Sequence, residues 1–263
     1  MKISGKILVV FGLILALFLV AFPNSAKAHF MWINTGDYTT TPEKQVKFTI
    51  GWGHDFANPV GNILYKQEGL EKIYMLSPRG KKIKVIPCNE IEFRTKKPLK
   101  KEGAYLAVSK RKQGFVTKTS QGYKRQSKKG LKNVIISYYS GQYAKAIVNF
   151  GKGSSKILSK PIGHTLEIIP SIDPAQLKEG DYLPLKVIYN NKPLSVELYA
   201  TYVGFSTDHA WAYVIKTNKK GSGKIKILKS GIWLIKVSHK IPYPDTSECD
   251  QYSYSATLTF EVK

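Results

Sequence analysis

Polar and apolar residues alternate along most of this chain with the period of β-strands. Between Gln45 and Trp52 the apolar positions are Val46, Phe48, Ile50 and Trp52, which puts them on one face of an extended segment. Comparable short runs occur at Lys82 to Pro87, Gly103 to Ser109, Asn133 to Tyr139 and Gln142 to Phe150, with Ser140-Gly141 as the expected hairpin turn between the last two. The second half supplies seven more candidates: Thr165 to Ile169, Tyr182 to Tyr189, Val196 to Val203, Ala210 to Thr217, Gly223 to Leu228, Gly231 to Ser238 and Tyr254 to Val262. Asn190-Asn191-Lys192-Pro193 reads as a hairpin turn. No helical period is long enough to build a layer.

The pattern predicts an all-β protein of two β-sandwich domains. The stretch Gly151-Lys152-Gly153-Ser154-Ser155-Lys156, followed by Lys160-Pro161, has the composition of a linker, so the expected domains are 29–158 and 159–263. Seven short strands in the second fit an immunoglobulin-like or transthyretin-like sandwich. A phosphate-cradling glycine loop, a nucleophile elbow and a paired-His helix motif are all missing, which disfavours nucleotide-binding and hydrolase classes.

Ahead of the strands, residues 1–28 carry Lys2 and Lys6, an apolar run from Ile7 to Phe22, then Pro23 and Ala26-Lys27-Ala28. This is the pattern of a cleaved secretory signal peptide. The small residues Ala26 and Ala28 suit the peptidase, and the run is short for a membrane span. Cleavage after Ala28 makes His29 the first residue of a periplasmic or extracellular protein. Its α-amine and imidazole then chelate one ion through a short ring, and nickel, cobalt, copper and zinc all favour such nitrogens. Phe30, Met31, Trp32 and Ile33 follow, so this terminus is expected to be anchored in a core instead of frayed.

Three further histidines are candidate ligands. His54 continues by parity the stripe Val46 to Trp52, and His239 continues the stripe Trp233, Ile235, Val237. His209, at a strand start in Thr207-Asp208-His209-Ala210, is a lesser candidate; His164, after the linker, reads as structural. Asp245, Glu248 and Asp250 gather beyond His239, either as part of a cation site or as a loop neutralising nearby lysines. Cys88 and Cys249 lie in different expected domains and are open to bridging, to remaining separate thiols, or, for Cys249, to soft metal ligation.

Charge adds a second theme. Lys and Arg number 41 against 18 Asp and Glu, a net +23, which the three lysines and no acid of residues 1–28 reduce to +20 after cleavage. Between Glu90 and Asn133 there are 14 Lys/Arg against three Glu. Few aromatics are interleaved, and export argues further against nucleic acid. Solvated loops, or attraction to an anionic membrane surface or envelope polymer, remain as readings.

Several stretches together resemble the periplasmic nickel/cobalt-uptake component family. They are Ala28-His29-Phe30-Met31-Trp32, Gly51-Trp52-Gly53-His54-Asp55-Phe56, Leu166 to Pro170 with Asp173-Pro174 and Gly180-Asp181, Lys192-Pro193-Leu194, Ala200 to Phe205, Gly231 to Leu234 with Ser238-His239, and Tyr254 to Phe260. The resemblance implies a non-enzymatic exported protein that captures nickel or cobalt for an inner-membrane importer of the ABC type, with His29 and the later histidines as ligands. The Lys/Arg-rich segment from Lys96 to Lys132 lies outside that likeness. Two rival readings are a copper-dependent monooxygenase built on the same terminal His and a basic envelope-associated structural or adhesion protein.

Overall fold

The computed structural model describes residues 29–41, 43–54, 56, 63–151, 156–206 and 210–263. The expected signal peptide and His209 lie outside the described residues. Among those described, the chain is all-β, with only two short 3-10 turns at Gln67–Gly69 and Pro174–Gln176. No helix there is long and apolar enough to cross a membrane.

Three sheets form three layers. The large central sheet runs Tyr213–Lys216, Glu197–Tyr202, Gly231–Pro242, Gln251–Val262, Val134–Phe150, Gly103–Arg111, Leu70–Leu76, Lys82–Ile83. One small sheet orders Phe30–Thr35, Lys47–Gly53, Glu92–Thr95, Val85–Pro87, and another orders Leu166–Pro170, Tyr182–Tyr189, Lys192–Pro193. Strands from both sides of residue 158 share the central sheet, joined by a parallel pairing of Val134–Phe150 with Gln251–Val262.

Alternation in the central strands explains the layering. In Val134–Phe150, Tyr143 and Ile147 belong to the core with Leu166, Ile168, Leu185 and Val187. Ala144, Ala146, Val148 and Phe150 belong to the core with Met31, Ile33, Phe48 and Ile50. Each central strand is thus buried on both faces, as continuous apolar runs require. The first strand, Phe30–Thr35, is also tied down by polar contacts. Thr257 Oγ1 donates to the Met31 carbonyl at 2.7 Å, and Thr259 Oγ1 to that of Ile33 at 2.8 Å.

The turn expected at Ser140-Gly141 does not exist. Val134–Phe150 is one strand of 17 residues that passes straight through it. The glycine serves close approach: a Cβ there would sit 2.7 Å from Cδ1 of Tyr254. Lys82 to Pro87 likewise divides between two sheets, as Lys82–Ile83 and Val85–Pro87. The Asn190-Asn191 turn is as the residues imply, with φ of 47° and 61° joining Tyr189 to Lys192.

An ion pair lies inside the protein. Lys145 Nζ is 3.2 Å from Glu167 Oε2, with side-chain exposures of 3% and 0%. The carboxylate also accepts from the backbone N–H of Ile162 at 3.1 Å and of Gly163 and His164 at 2.8 Å. It therefore closes the loop ahead of Leu166–Pro170 and ties it to the central sheet.

Candidate metal centre

His29 immediately precedes the strand Phe30–Thr35, which pairs antiparallel with Lys47–Gly53 so that Phe30 faces Gly53 and Met31 faces Trp52. One more step of this register sets His29 opposite His54. Their ring centroids are 4.1 Å apart at an interplanar angle of 58°. Cross-strand neighbours at a strand end meet in this way because side chains directly opposite project to the same face. Phe30, Met31, Trp32 and Ile33 are all buried, so His29 starts from an anchored strand. Gly51 makes the pairing close: a Cβ there would fall 2.3 Å from the Trp32 indole that crosses it.

Aromatic and polar groups surround the two imidazoles. His29 packs edge-on against Trp52, with centroids 4.1 Å apart. Trp52 in turn meets Tyr65 at 5.9 Å, and Arg111 lies over both rings while its Nε donates to the Tyr65 hydroxyl at 2.7 Å. Partial burial holds the His29 imidazole below its usual pKa, which keeps it neutral and able to donate a lone pair at mild pH. Gln142 Nε2 donates to the His29 carbonyl at 2.9 Å. The Gln142 side chain is buried at 7% exposure, and its Oε1 has no hydrogen-bond partner among the described residues.

His239 goes elsewhere. It pairs with Tyr254 and packs edge-on against Tyr189 at 4.8 Å, on the face shared by Trp233, Ile235 and Val237. That face looks toward the layer opposite His29, so the central sheet separates the two rings. Parity places His239 on its apolar stripe but says nothing about which layer the stripe meets. His164 is buried against Tyr143, and desolvation, then the charges of Lys145, Lys110 and Lys72, push its pKa down to about 3.

Two of the carboxylates after His239 hold parts of the fold together. Asp250 pairs with Lys128 and accepts from the Ser137 N–H at 2.6 Å, while Asp245 accepts from the Ser247 N–H and hydroxyl. Cys249 is buried, Cys88 is exposed, and the two are separate thiols. Among the described residues no group of three or more His, Cys, Asp and Glu is placed to hold a metal.

Gln142, Tyr65 and Arg111 do not stand out in the pattern, and Trp52 stands out there only as the end of an apolar stripe. A signal for Gln142 does exist, since it shares parity with Ala144, Ala146 and Val148, a polar residue on an otherwise apolar stripe.

Residues 26–241 match the family described as Domain of unknown function (DUF4198). The chain belongs to this family. The DUF4198 match includes both strands that meet at His29 and His54 and stops just before the carboxylate-bearing loop. No curated protein matches the chain. Among solved structures it is similar to the D0-D1 domain of intimin, at 11% identity and a TM-score of 0.22 over 88% of this chain and 97% of that one. Murine CEACAM1b is similar at 8% identity and a TM-score of 0.23, over 89% and 100%. A DUF4785 family protein from Legionella pneumophila is similar at 8% identity and a TM-score of 0.27, over 89% and 56%. Similarities this distant carry no argument about what the DUF4198 chain binds.

Proposed function

We propose that this protein is exported and captures a divalent transition ion, nickel or cobalt, for delivery to a membrane importer. The observation that carries the reading is the meeting of His29 and His54 at the paired ends of two buried strands. With nitrogen bound at about 2.0–2.1 Å and each ring centroid about 1.1 Å beyond it, two imidazoles at a right angle on one ion have centroids roughly 4.5 Å apart. The observed 4.1 Å is a few tenths of an ångström short of that, so a small rotation of the rings admits an ion between them. Cleavage after Ala28 adds the α-amine of His29, giving three nitrogen donors from two residues. Gln142 fixes the backbone of the first of them, an outer contact of the kind that orients ligands.

The residues that act are few. His29 and His54 bind; Gln142 positions; Trp52 packs edge-on against the His29 ring. An open position on the ion remains for exchange into the importer. Calorimetric titration with Ni(II) tests this on three proteins: the chain beginning at His29, the same chain with one extra residue in front, and His54→Ala. Loss of binding in the second and third supports the reading, and equal binding by all three contradicts it.

The same three-nitrogen set suits Cu(II), which the affinity order places above nickel and cobalt. A copper-dependent oxidative activity is the second reading. Turnover of a polysaccharide that requires copper and a reductant would favour it, and binding without turnover favours transport.

A further inference from the structure

A cleft of about 1110 Å³ opens on the side of the molecule built by Ser77–Lys84, Lys96–Tyr105 and Lys156–Lys160. Ten Lys/Arg side chains line it, from three separate segments, against the single carboxylate of Glu102. Sequence proximity does not account for this, because the fold brings Lys156 and Lys160 to Lys81–Lys84 and Lys96–Lys101. Among the described residues none of the ten forms an ion pair, although five salt bridges elsewhere among those residues show that acids are available. Ten unpaired cations around one concavity repel each other, and a solvated face would spread them apart. The cleft is therefore arranged for an anion.

Its chemistry narrows the class. Nine of the ten cations are lysines, mobile point charges that suit several phosphates, whereas a fixed planar carboxylate is met best by arginine forks. Apolar side chains line it as well: Pro78, Ile83, Pro98, Leu99 and Ile157. A fully hydrated polyanion gains nothing from them. A phosphate headgroup with its glycerol and first acyl carbons satisfies both parts.

We propose that this cleft binds anionic phospholipid headgroups and docks the protein on a membrane surface. The inference is independent of the metal reading. It is tested on the chain beginning at His29, stripped of metal by a chelator, by co-sedimentation with vesicles of phosphatidylcholine alone or mixed with phosphatidylglycerol.

Binding is expected only to the mixed vesicles, and it weakens as salt rises. Replacing Lys81, Lys84, Lys97 and Lys100 together by Gln is expected to lower partition by about 5-fold per lysine, roughly 600-fold in all. The same four changed to Arg retain binding. A control set, Lys124, Lys129, Lys219 and Lys220 changed to Gln, removes equal charge away from the cleft and is expected to have a much smaller effect. Equal binding to both vesicle types overturns the proposal. So does an equal loss in the control set, which would assign the attraction to net charge. Binding of inorganic tripolyphosphate that depends on the four cleft lysines, with no vesicle binding, overturns it in favour of a soluble anion.

Discussion

Glu167→Gln is the change with the largest expected cost, and its size follows from the surroundings of Lys145. The ammonium is 3.2 Å from the carboxylate and almost wholly buried. At an effective dielectric of about 20 the attraction is roughly 5 kcal/mol, and losing one member of a buried pair typically costs about 3–5 kcal/mol. The two partners are not equivalent. Glu167 keeps three backbone donors if Lys145 is removed, whereas among the described residues Glu167 is the one opposite charge beside the Lys145 ammonium. Lys145→Met is therefore expected to cost about 1–3 kcal/mol, less than Glu167→Gln.

The pH dependence separates the two further. Desolvation already holds Lys145 below the ordinary lysine pKa, with Glu167 opposing it, and loss of the carboxylate lowers it more. The unfolded chain then binds more protons than the folded one between that depressed value and the ordinary pKa near 10.4, so stability rises with pH there. Urea unfolding at neutral and alkaline pH measures the effect. The deficit of Glu167→Gln relative to the parent should shrink as pH rises. A larger cost for Lys145→Met, or a deficit that widens with pH, would refute the reasoning.

Gln142→Ala should weaken Ni(II) binding by about 10- to 100-fold while leaving the urea midpoint within a small margin, as for other contacts that orient a ligand; calorimetry and urea unfolding check both halves. The buried His164, with a pKa of about 3, stays neutral on folding while the unfolded imidazole takes a proton below about 6.5. Its contribution is whole above that value and is lost as pH falls toward 3, by about 1.4 kcal/mol per pH unit, so unfolding midpoints at pH 7, 5.5 and 4.5 should descend and His164→Phe should flatten the descent. Gly141→Val should cost about 1–3 kcal/mol by forcing the Tyr254 ring aside, read as a lower thermal midpoint.

The strands were legible where alternation was long and unbroken, as in Tyr182–Tyr189, whose limits the pattern predicts residue for residue. It misled at Gly141, because a glycine that admits a neighbouring ring and one that turns the chain look alike in one sequence. The three-layer arrangement was beyond it: parity tells which residues share a face, and the partner of that face depends on pairings over 100 residues apart, such as Tyr138 with Gln251. The candidate site divides the same way. His29 and His54 were readable from a terminus and a stripe, whereas the surroundings of Trp52, Gln142 and Arg111 arise from three separate strands. His239 was readable as a stripe end and nothing more.

Nitrogen hyperfine structure in the electron paramagnetic resonance spectrum of the Cu(II)-loaded chain beginning at His29 tests the central claim most directly. Three coordinated nitrogens are predicted, falling to two in His54→Ala and losing the amine contribution when one residue is added before His29. A spectrum unchanged by either alteration would place the ion elsewhere and contradict the account.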